Sequence, residues 1–100
     1  METGARGVSP APWYCYLLLC ADGTFYAGVT TDLARRLAQH NRGAASRYTR
    51  TRRPVCLVYA EPQPDRSSAT RRERQLKALT RADKEALARQ AASAAVPHGT

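Results

Sequence analysis

Residues 13–29 read WYCYLLLCADGTFYAGV, and this stretch decides the fold. Its first eight positions are aromatic, aliphatic or cysteine throughout, and positions 24–29 resume the apolar pattern after a short polar interval. Asp22-Gly23 lies in that interval, and an Asp-Gly pair between two β-prone runs favours a tight turn between antiparallel strands. The stretch therefore predicts a β-hairpin.

The rest of the chain shows helical and strand patterns that follow this hairpin. Asp32 can cap a helix with Leu33 and Leu37 at helical spacing, and Gly43 can end it. The expected elements are, in order, a helix over 32–41, an exposed basic loop over 42–53, a buried strand over 55–60 closed by Pro62, a helix from Ser67 or Ser68 to about residue 79, and a helix to about residue 90 opened by a Thr80–Asp83 capping box. The order β-β-α-β-α-α predicts an α+β fold, with a small central antiparallel sheet of about three strands flanked by helices.

Length and terminal composition predict one domain with two loose ends. One hundred residues suffice for one hydrophobic core. Residues 1–12 contain two prolines and two glycines, and no apolar run there is long enough for a signal peptide. We expect a flexible N-terminal tail over 1–12, a folded domain over 13–91 and a flexible C-terminal tail over 92–100.

Positive charge dominates the composition. Sixteen Lys and Arg residues against eight Asp and Glu residues give a formal net charge of +8. Such an excess of cations attracts a polyanion, whose counterions are released on binding. Nucleic acid is therefore the expected partner. Charge alone leaves open an arginine-rich surface that is merely well solvated, or one that is drawn to anionic lipid.

Cysteine usage and hydropathy indicate the compartment. The three cysteines, Cys15, Cys20 and Cys56, form an odd set without a CxxC pair, and each lies in an apolar run. This pattern is typical of reduced thiols in a core rather than of a disulfide or zinc framework. No segment approaches the roughly 18 apolar residues of a membrane span. We therefore expect a cytoplasmic protein with no membrane partner.

Two polar residues of the first helix border its apolar face. At about 100° per residue, Arg36 and His40 share a sector with Leu33 and Leu37, whereas Arg35 points away. An arginine that extends its aliphatic stem beside leucines, and a histidine bonded to the backbone, would explain both without any chemistry.

A carboxylate lies on the inward stripe of the next helix. Helical rotation places Glu73 between Ala69 and Leu76. A carboxylate in that position is unfavourable unless a cation or strong hydrogen-bond donors meet it. The helix pattern alone leaves two explanations of equal weight, a metal ligand or a structural salt bridge to Arg72 or Arg36.

An ordered set of residues resembles the GIY-YIG endonuclease superfamily, and in particular its small stand-alone members. Tyrosines on strands are by themselves more often packing residues than catalytic ones. The resemblance rests on Tyr14-Cys15-Tyr16, on Tyr26-Ala27-Gly28 after an Asp-Gly turn, on Thr31-Asp32-Leu33 leading into Arg36 and His40, and on Glu73, over roughly residues 13–90. It implies a small central antiparallel sheet flanked by helices, with the tyrosines, the arginine and the glutamate converging on one face.

The resemblance also implies roles for individual residues. Tyr16, Tyr26, Arg36 and His40 match catalytic positions, and Glu73 matches the ligand of a single Mg²⁺ (or Mn²⁺). The expected contacts to nucleic acid are Gly28, where a missing Cβ lets a backbone or ligand approach, and the loop residues Arg47, Arg50 and Arg52. The implied activity is hydrolysis of phosphodiester bonds, with DNA favoured over RNA as the substrate.

Two departures from the family pattern bear on the chemistry. The first motif, Tyr14-Cys15-Tyr16, lacks the opening Gly and Ile, and Val29 stands where some members carry lysine. A phenol with a pKa near about 10 is a poor base at neutral pH unless positive charge lowers that pKa. The cation that assists a tyrosine base therefore stays open among Arg47, Arg50 and Arg52.

A non-catalytic nucleic-acid-binding module on the same fold is the alternative function. It explains the charge and the strand aromatics without turnover. Glu73 argues against it, because a pure binder gains nothing from an anion that faces a polyanion. The substrate structure, the sequence specificity and the oligomeric state are not determined by the sequence.

Overall fold

A computed structural model describes residues 12–95. Over this range the chain forms three strands and four helices. In chain order they are β1 (Trp13–Leu19), β2 (Phe25–Thr30), α1 (Leu33–Asn41), α2 (Arg47–Arg50), β3 (Cys56–Gln63), α3 (Arg66–Ala78) and α4 (Arg81–Ala95). The predicted α+β fold, with a small antiparallel sheet flanked by helices, is confirmed.

The sheet has the order β2-β1-β3, and both pairings are antiparallel. The predicted hairpin is present, and its turn uses Gly23 at φ +85°, a conformation that glycine adopts readily. The register places Tyr16 opposite Gly28 and Leu18 opposite Tyr26. Because alternate residues of a strand share a face, these four residues lie on the same face of the sheet.

Each face of the sheet has its own core cluster. One cluster joins Cys15, Leu17 and Ala27 to Leu76 of α3. The other joins Tyr16, Leu18, Cys20 and Val55, with Leu33 and Leu37 of α1 packed against them. The central strand β1 therefore supplies both layers. The two motif tyrosines lie in the layer that α1 covers.

The third strand differs from its prediction. We expected a buried strand over 55–60 that ends before Pro62. Instead, β3 runs over Cys56–Gln63 and includes that proline, and none of its residues is fully buried. The position of β3 at the sheet edge explains its partial exposure, because an edge strand is open on one side. It also explains the proline, because an edge strand tolerates a residue without an N–H group. Cys56 is exposed, so the expectation of a core thiol holds for Cys15 and Cys20 only.

The sequence analysis predicted a basic loop over 42–53, and this prediction is wrong for part of the segment. It contains α2, a single helical turn, and Ser46 caps that turn by accepting a hydrogen bond from the backbone N–H of Thr49 at 3.1 Å. The local signal for this turn is Ser46, a residue type that often caps helices, three positions before Thr49. The sequence analysis overlooked it because it considered only the charge and the Gly and Ser content of the segment.

The helices α3 and α4 begin and end differently from the prediction. Asp65, rather than Ser67 or Ser68, caps α3 and accepts the N–H of Ser68 at 2.8 Å. The predicted cap of α4 is present, since the N–H of Asp83 donates to Thr80 Oγ1 at 3.1 Å. This helix continues to Ala95, beyond the expected end near residue 90 and into the range 92–100 assigned to a C-terminal tail.

The ends of the chain fall largely outside this description. The predicted N-terminal tail is outside it except for residue 12, and so are residues 96–100. Among the helices within residues 12–95, none has the length and apolar character needed to cross a membrane.

Candidate active site

Tyr16 lies at the centre of the candidate site and is only 2% exposed. Its ring covers Gly28 on the neighbouring strand, so a Cβ at Gly28 would come within 2.6 Å of Tyr16 Cζ. Carbon atoms cannot approach this closely without displacement of the ring. The missing side chain at Gly28 is therefore explained by the tyrosine ring, whereas the sequence analysis expected an approaching ligand or backbone.

His40 lies in the last turn of α1 and is 1% exposed. Its Nε2 is 3.0 Å from Tyr16 Oη, and its Nδ1 is 2.8 Å from Thr49 Oγ1. The imidazole and the Tyr26 ring are also in an edge-to-face contact, with centroids 5.2 Å apart. His40 therefore contacts both motif tyrosines and connects them to α2.

Burial controls the protonation of this pair. It raises the pKa of Tyr16 to about 12, with Tyr26 acting in the same direction, and the positive charge of Arg36 opposes the rise without overcoming it. Burial, followed by the charge of Arg36, lowers the pKa of His40. At neutral pH the pair is thus a phenol beside a neutral imidazole. A tyrosine base was expected to need positive charge that lowers its pKa, and at Tyr16 burial outweighs the charge of Arg36.

Arg36 is half-buried on α1 and borders a polar pocket of about 240 Å³. Its Nε donates to Gln39 Oε1 at 2.9 Å. Within residues 12–95 no carboxylate forms an ion pair with this guanidinium. Its charge is therefore available to an external anion. Arg35 is exposed, as predicted, but it lines the same pocket.

Glu73 is 18% exposed on α3, between the buried residues Ala69 and Leu76, as the helical spacing predicted. Its ion-pair partner is Lys77, with Nζ 3.7 Å away. The alternative salt bridges are not formed, since Arg72 Nε instead donates to Glu61 Oε2 at 2.9 Å.

The resemblance implied that Glu73 and the tyrosines converge on one face, and the structure arranges them differently. It lies on the helix that packs against the opposite face of the sheet from α1, since Leu76 belongs to the other core cluster. Its charge nevertheless contributes to the raised pKa of Tyr16, so the two groups are neighbours. The described chain has no group of three or more His, Cys, Asp or Glu side chains that could hold a metal ion. A cation at Glu73 would have one carboxylate ligand.

The arginines of the basic segment have different environments. Arg52 donates from Nε to Asp22 Oδ2 at 2.9 Å, and its Cζ lies 3.8 Å from the centroid of the Tyr48 ring. Tyr48 in turn stacks on Tyr26, with centroids 5.9 Å apart. Arg52 thus attaches α2 to the hairpin turn. Arg47 and Arg50 are exposed, and neither forms an ion pair with a carboxylate of the described chain.

Two features of the site were missed by reasoning from the sequence. Thr49 is fully buried against His40, and a separation of nine positions along the chain hides this contact from sequence reasoning. A second basic surface follows the outer side of α3 around a shallow depression. Its lining residues are Arg66, Ser67, Thr70, Arg71 and Arg74. The outward direction of Arg71 and Arg74 was readable from helical spacing, but their common depression was not.

Comparison with known proteins identifies the class of this chain. The family model described as the GIY-YIG catalytic domain matches residues 12–86. The chain belongs to the GIY-YIG nuclease family, which confirms the resemblance seen in its motifs.

Within that family the chain is similar to small UPF0213 proteins. One of Xanthomonas axonopodis pv. citri is 53% identical over 73 residues, which are 73% of this chain and 72% of the relative. One of Halobacterium salinarum is 50% identical over 74 residues, 74% and 96% of the two chains. The solution NMR structure of protein EF2693 from E. faecalis is 44% identical, has a TM-score of 0.52, and covers 77% of this chain and 82% of its own.

Proposed function

We propose that this chain is an endonuclease that hydrolyses phosphodiester bonds of nucleic acid, with DNA favoured over RNA, and uses a single Mg²⁺ or Mn²⁺. The observation that carries the proposal is the buried Tyr16–His40 pair beside Arg36, a cation without a carboxylate partner in the described chain. The net charge of +8 supports a polyanionic substrate.

Tyr16 acts as a base only if its own proton leaves at the same time. A phenol with a pKa of about 12 does not ionise at neutral pH, but His40 Nε2 is 3.0 Å away and can accept the proton. The attacking water gives a proton to Tyr16 Oη while the phenol proton moves to His40. The resulting hydroxide forms a bond to phosphorus, the bond to the leaving oxygen breaks, and that oxygen takes a proton from solvent.

The two tyrosines compete for this role. Tyr16 has the proton acceptor but is 2% exposed, so it meets only a water that enters the site with the substrate. Tyr26 is more exposed and borders the same imidazole. We assign the base to Tyr16 and the enclosure of His40 to Tyr26. The variants Tyr16→Phe and Tyr26→Phe separate the two assignments, because only the variant that lacks the base should lose nearly all turnover.

Arg36 binds a non-bridging oxygen of the scissile phosphate. The supporting observations are its position at a polar pocket and the lack of an ion pair between Arg36 and any carboxylate of residues 12–95, although Asp32 lines the same pocket. A guanidinium offers paired donors that match phosphate oxygens. We propose that Arg47 and Arg50 bind neighbouring phosphates. Arg52 supports them by holding α2 to the hairpin.

Glu73 fits the requirement for one carboxylate ligand of Mg²⁺ or Mn²⁺. Its single ion pair, to Lys77, is long at 3.7 Å, so a cation would displace a weak partner. One protein carboxylate would suffice, because Mg²⁺ is usually bound through one or two carboxylates and keeps several of its waters. When bound, such an ion neutralises charge on the phosphate oxygens. Glu73 itself binds and orients, and no proton transfer is assigned to it.

A nicking assay with purified protein tests this proposal against the binding-module alternative. The substrates are supercoiled plasmid and a panel of single-stranded, duplex, flap and branched DNA and RNA, each with Mg²⁺ or Mn²⁺. Cleavage by the wild-type protein that is lost in Glu73→Gln supports the endonuclease. Binding without cleavage of any substrate would favour the binding module instead.

A further inference from the structure

A chain of polar side chains passes from the candidate site into α2. Tyr16 Oη is 3.0 Å from His40 Nε2, and His40 Nδ1 is 2.8 Å from Thr49 Oγ1. Thr49 Oγ1 is in turn 2.9 Å from Ser46 Oγ. Tyr16, His40 and Thr49 are all at most 2% exposed, so water has little access to correct an unsatisfied partner.

Satisfying every hydrogen in this chain selects one arrangement of protons. A neutral imidazole has one N–H donor and one acceptor nitrogen. If Nε2 carried the hydrogen, the phenolic hydrogen of Tyr16 would need another acceptor. Among residues 12–95 Tyr16 Oη has no acceptor besides His40 Nε2, because the nearby Arg36 guanidinium can only donate. If Nδ1 carries it, Tyr16 donates to Nε2 and both groups are satisfied.

The partners on α2 accommodate the same arrangement. Ser46 Oγ is within reach of the Thr49 hydroxyl hydrogen, so Thr49 can donate to Ser46 and accept from His40 Nδ1. Ser46 also caps α2 and accepts the backbone N–H of Thr49 at 3.1 Å. The short helix thus fixes the direction of the Thr49 hydroxyl, because its cap and its buried side chain share one hydrogen-bond network.

We infer that Thr49 is a positioning residue that, together with Ser46, holds His40 in the tautomer protonated on Nδ1, so that Nε2 receives the phenol proton of Tyr16. The inference rests on the proposed function for its catalytic meaning, but the tautomer is a property of the folded protein by itself. It also gives α2 a role beyond presenting arginines. When His40 accepts the proton, its Nδ1–H stays bonded to Thr49, and the ring keeps its orientation.

The test measures the tautomer directly. The nitrogen NMR shifts of His40 in wild-type protein should show hydrogen on Nδ1 and an unprotonated Nε2 that accepts a hydrogen bond. Thr49→Val keeps the shape and removes the hydroxyl, so it should increase the Nε2-protonated form and reduce kcat about tenfold or more, with KM nearly unchanged. Thr49→Ser should restore both. The matched control is Thr51→Val, an exposed threonine next to α2 that should change neither.

Several outcomes would overturn the inference. Hydrogen on Nε2 of His40 in wild-type protein would overturn it. This measurement needs no variant, so it decides the question even if Thr49→Val fails to fold. A folded Thr49→Val protein with the wild-type tautomer would overturn the inference as well. The proposed function can fail separately. If wild-type protein shows the expected tautomer but cleaves no substrate, the positioning of His40 by Thr49 stands and its link to catalysis is excluded.

Discussion

At the scale of single residues, Arg36 and Arg35 are chain neighbours with different environments. Arg36 is half-buried beside Tyr16, whereas Arg35 is exposed at the rim of the same pocket. We expect Arg36→Ala to leave the fold intact and to reduce kcat by about two orders of magnitude, as for the loss of a transition-state charge stabiliser. Arg35→Ala should mainly raise KM. Steady-state kinetics of both variants check this, and an equal loss of kcat would contradict it.

Two acids on the α3 side of the sheet provide a matched pair. Glu61 is bonded by Tyr59, Gln63 and Arg72, and although burial alone would raise its pKa, these bonds hold the pKa below its usual range. Glu73 has only the long ion pair to Lys77. Glu61→Gln should therefore destabilise the fold by about 1–3 kcal/mol. Glu73→Gln should leave Tm unchanged or slightly higher and abolish cleavage.

The measurements on this pair are thermal melts, nicking assays and metal-free binding titrations. Metal-free binding by Glu73→Gln should be retained or improved, because an anion that faces phosphates has been removed. If Glu73→Gln melted as far below wild type as Glu61→Gln, the carboxylate would be structural and the metal assignment would fail.

The His40 imidazole predicts the pH dependence. Burial, followed by the charge of Arg36, holds its pKa below the ordinary 6.5. The proposed proton transfer needs neutral imidazole, so kcat should be level at neutral pH and fall only below about 6.5. Because the folded pKa is lower than the unfolded one, native stability should decline in the same window as pH falls. Rate profiles and melts from about pH 8 to about pH 5 test both, and an acid limb centred above 6.5 would contradict the assignment.

At the scale of elements, the β1–β2 pairing and the position of Tyr16, the proposed base, depend on each other. Gly28→Ala inserts a methyl group under the Tyr16 ring, which is held by burial and by His40. We expect a loss of about 1–3 kcal/mol of stability, together with a loss of cleavage. Adding Tyr16→Leu should recover part of the stability without activity, because the smaller side chain removes the collision.

Denaturant unfolding of the two single variants and the double variant measures that coupling. If the effects of Gly28→Ala and Tyr16→Leu on the free energy of unfolding were additive, the Tyr16 ring would not be what requires glycine at position 28. The same scale explains α2, whose cap, buried threonine and Arg52–Asp22 ion pair fix one helical turn against the hairpin.

At the scale of the whole molecule, arginines lie near both edges of the sheet. Arg50 lies on α2, which contacts the edge strand β2 because Tyr48 stacks on Tyr26. Arg89 lies on α4, which packs beside β3 at the other edge. Arg50→Ala should weaken binding of all sequences alike and reduce the slope of log affinity against log salt by about one. Arg89→Ala on α4 is the matched control and should leave the slope unchanged. Equal slopes for all three proteins would exclude α2 as the electrostatic contact.

The basic depression on α3 extends this test. Arg74→Ala reports whether the contact with nucleic acid reaches that helix, since Arg74 forms no ion pair within the described residues. A reduced salt slope in this variant as well would indicate that the substrate contacts the helix that carries Glu73.

The sequence by itself determined the features that depend on local periodicity. The apolar runs on either side of Asp22-Gly23 specified the hairpin, because a strand and its turn are encoded in neighbouring positions. Helical spacing placed Arg36 and His40 at the core border and Glu73 on the inward stripe, because a rotation of about 100° per residue fixes the face of each side chain. The family motifs then connected these positions to phosphodiester chemistry.

Only the tertiary structure decided which partner each of these side chains has. Helical spacing could not choose between Arg72 and Arg36 for Glu73, and the folded chain pairs it with Lys77 while Arg72 binds Glu61. It also placed Thr49 on His40 and the Tyr16 ring over Gly28, and burial then raised the pKa of Tyr16, although a tyrosine base needs a lower pKa. The physical reason is that periodicity fixes the direction of a side chain from its own element, whereas its partners and its desolvation depend on strand register and on packing between distant segments.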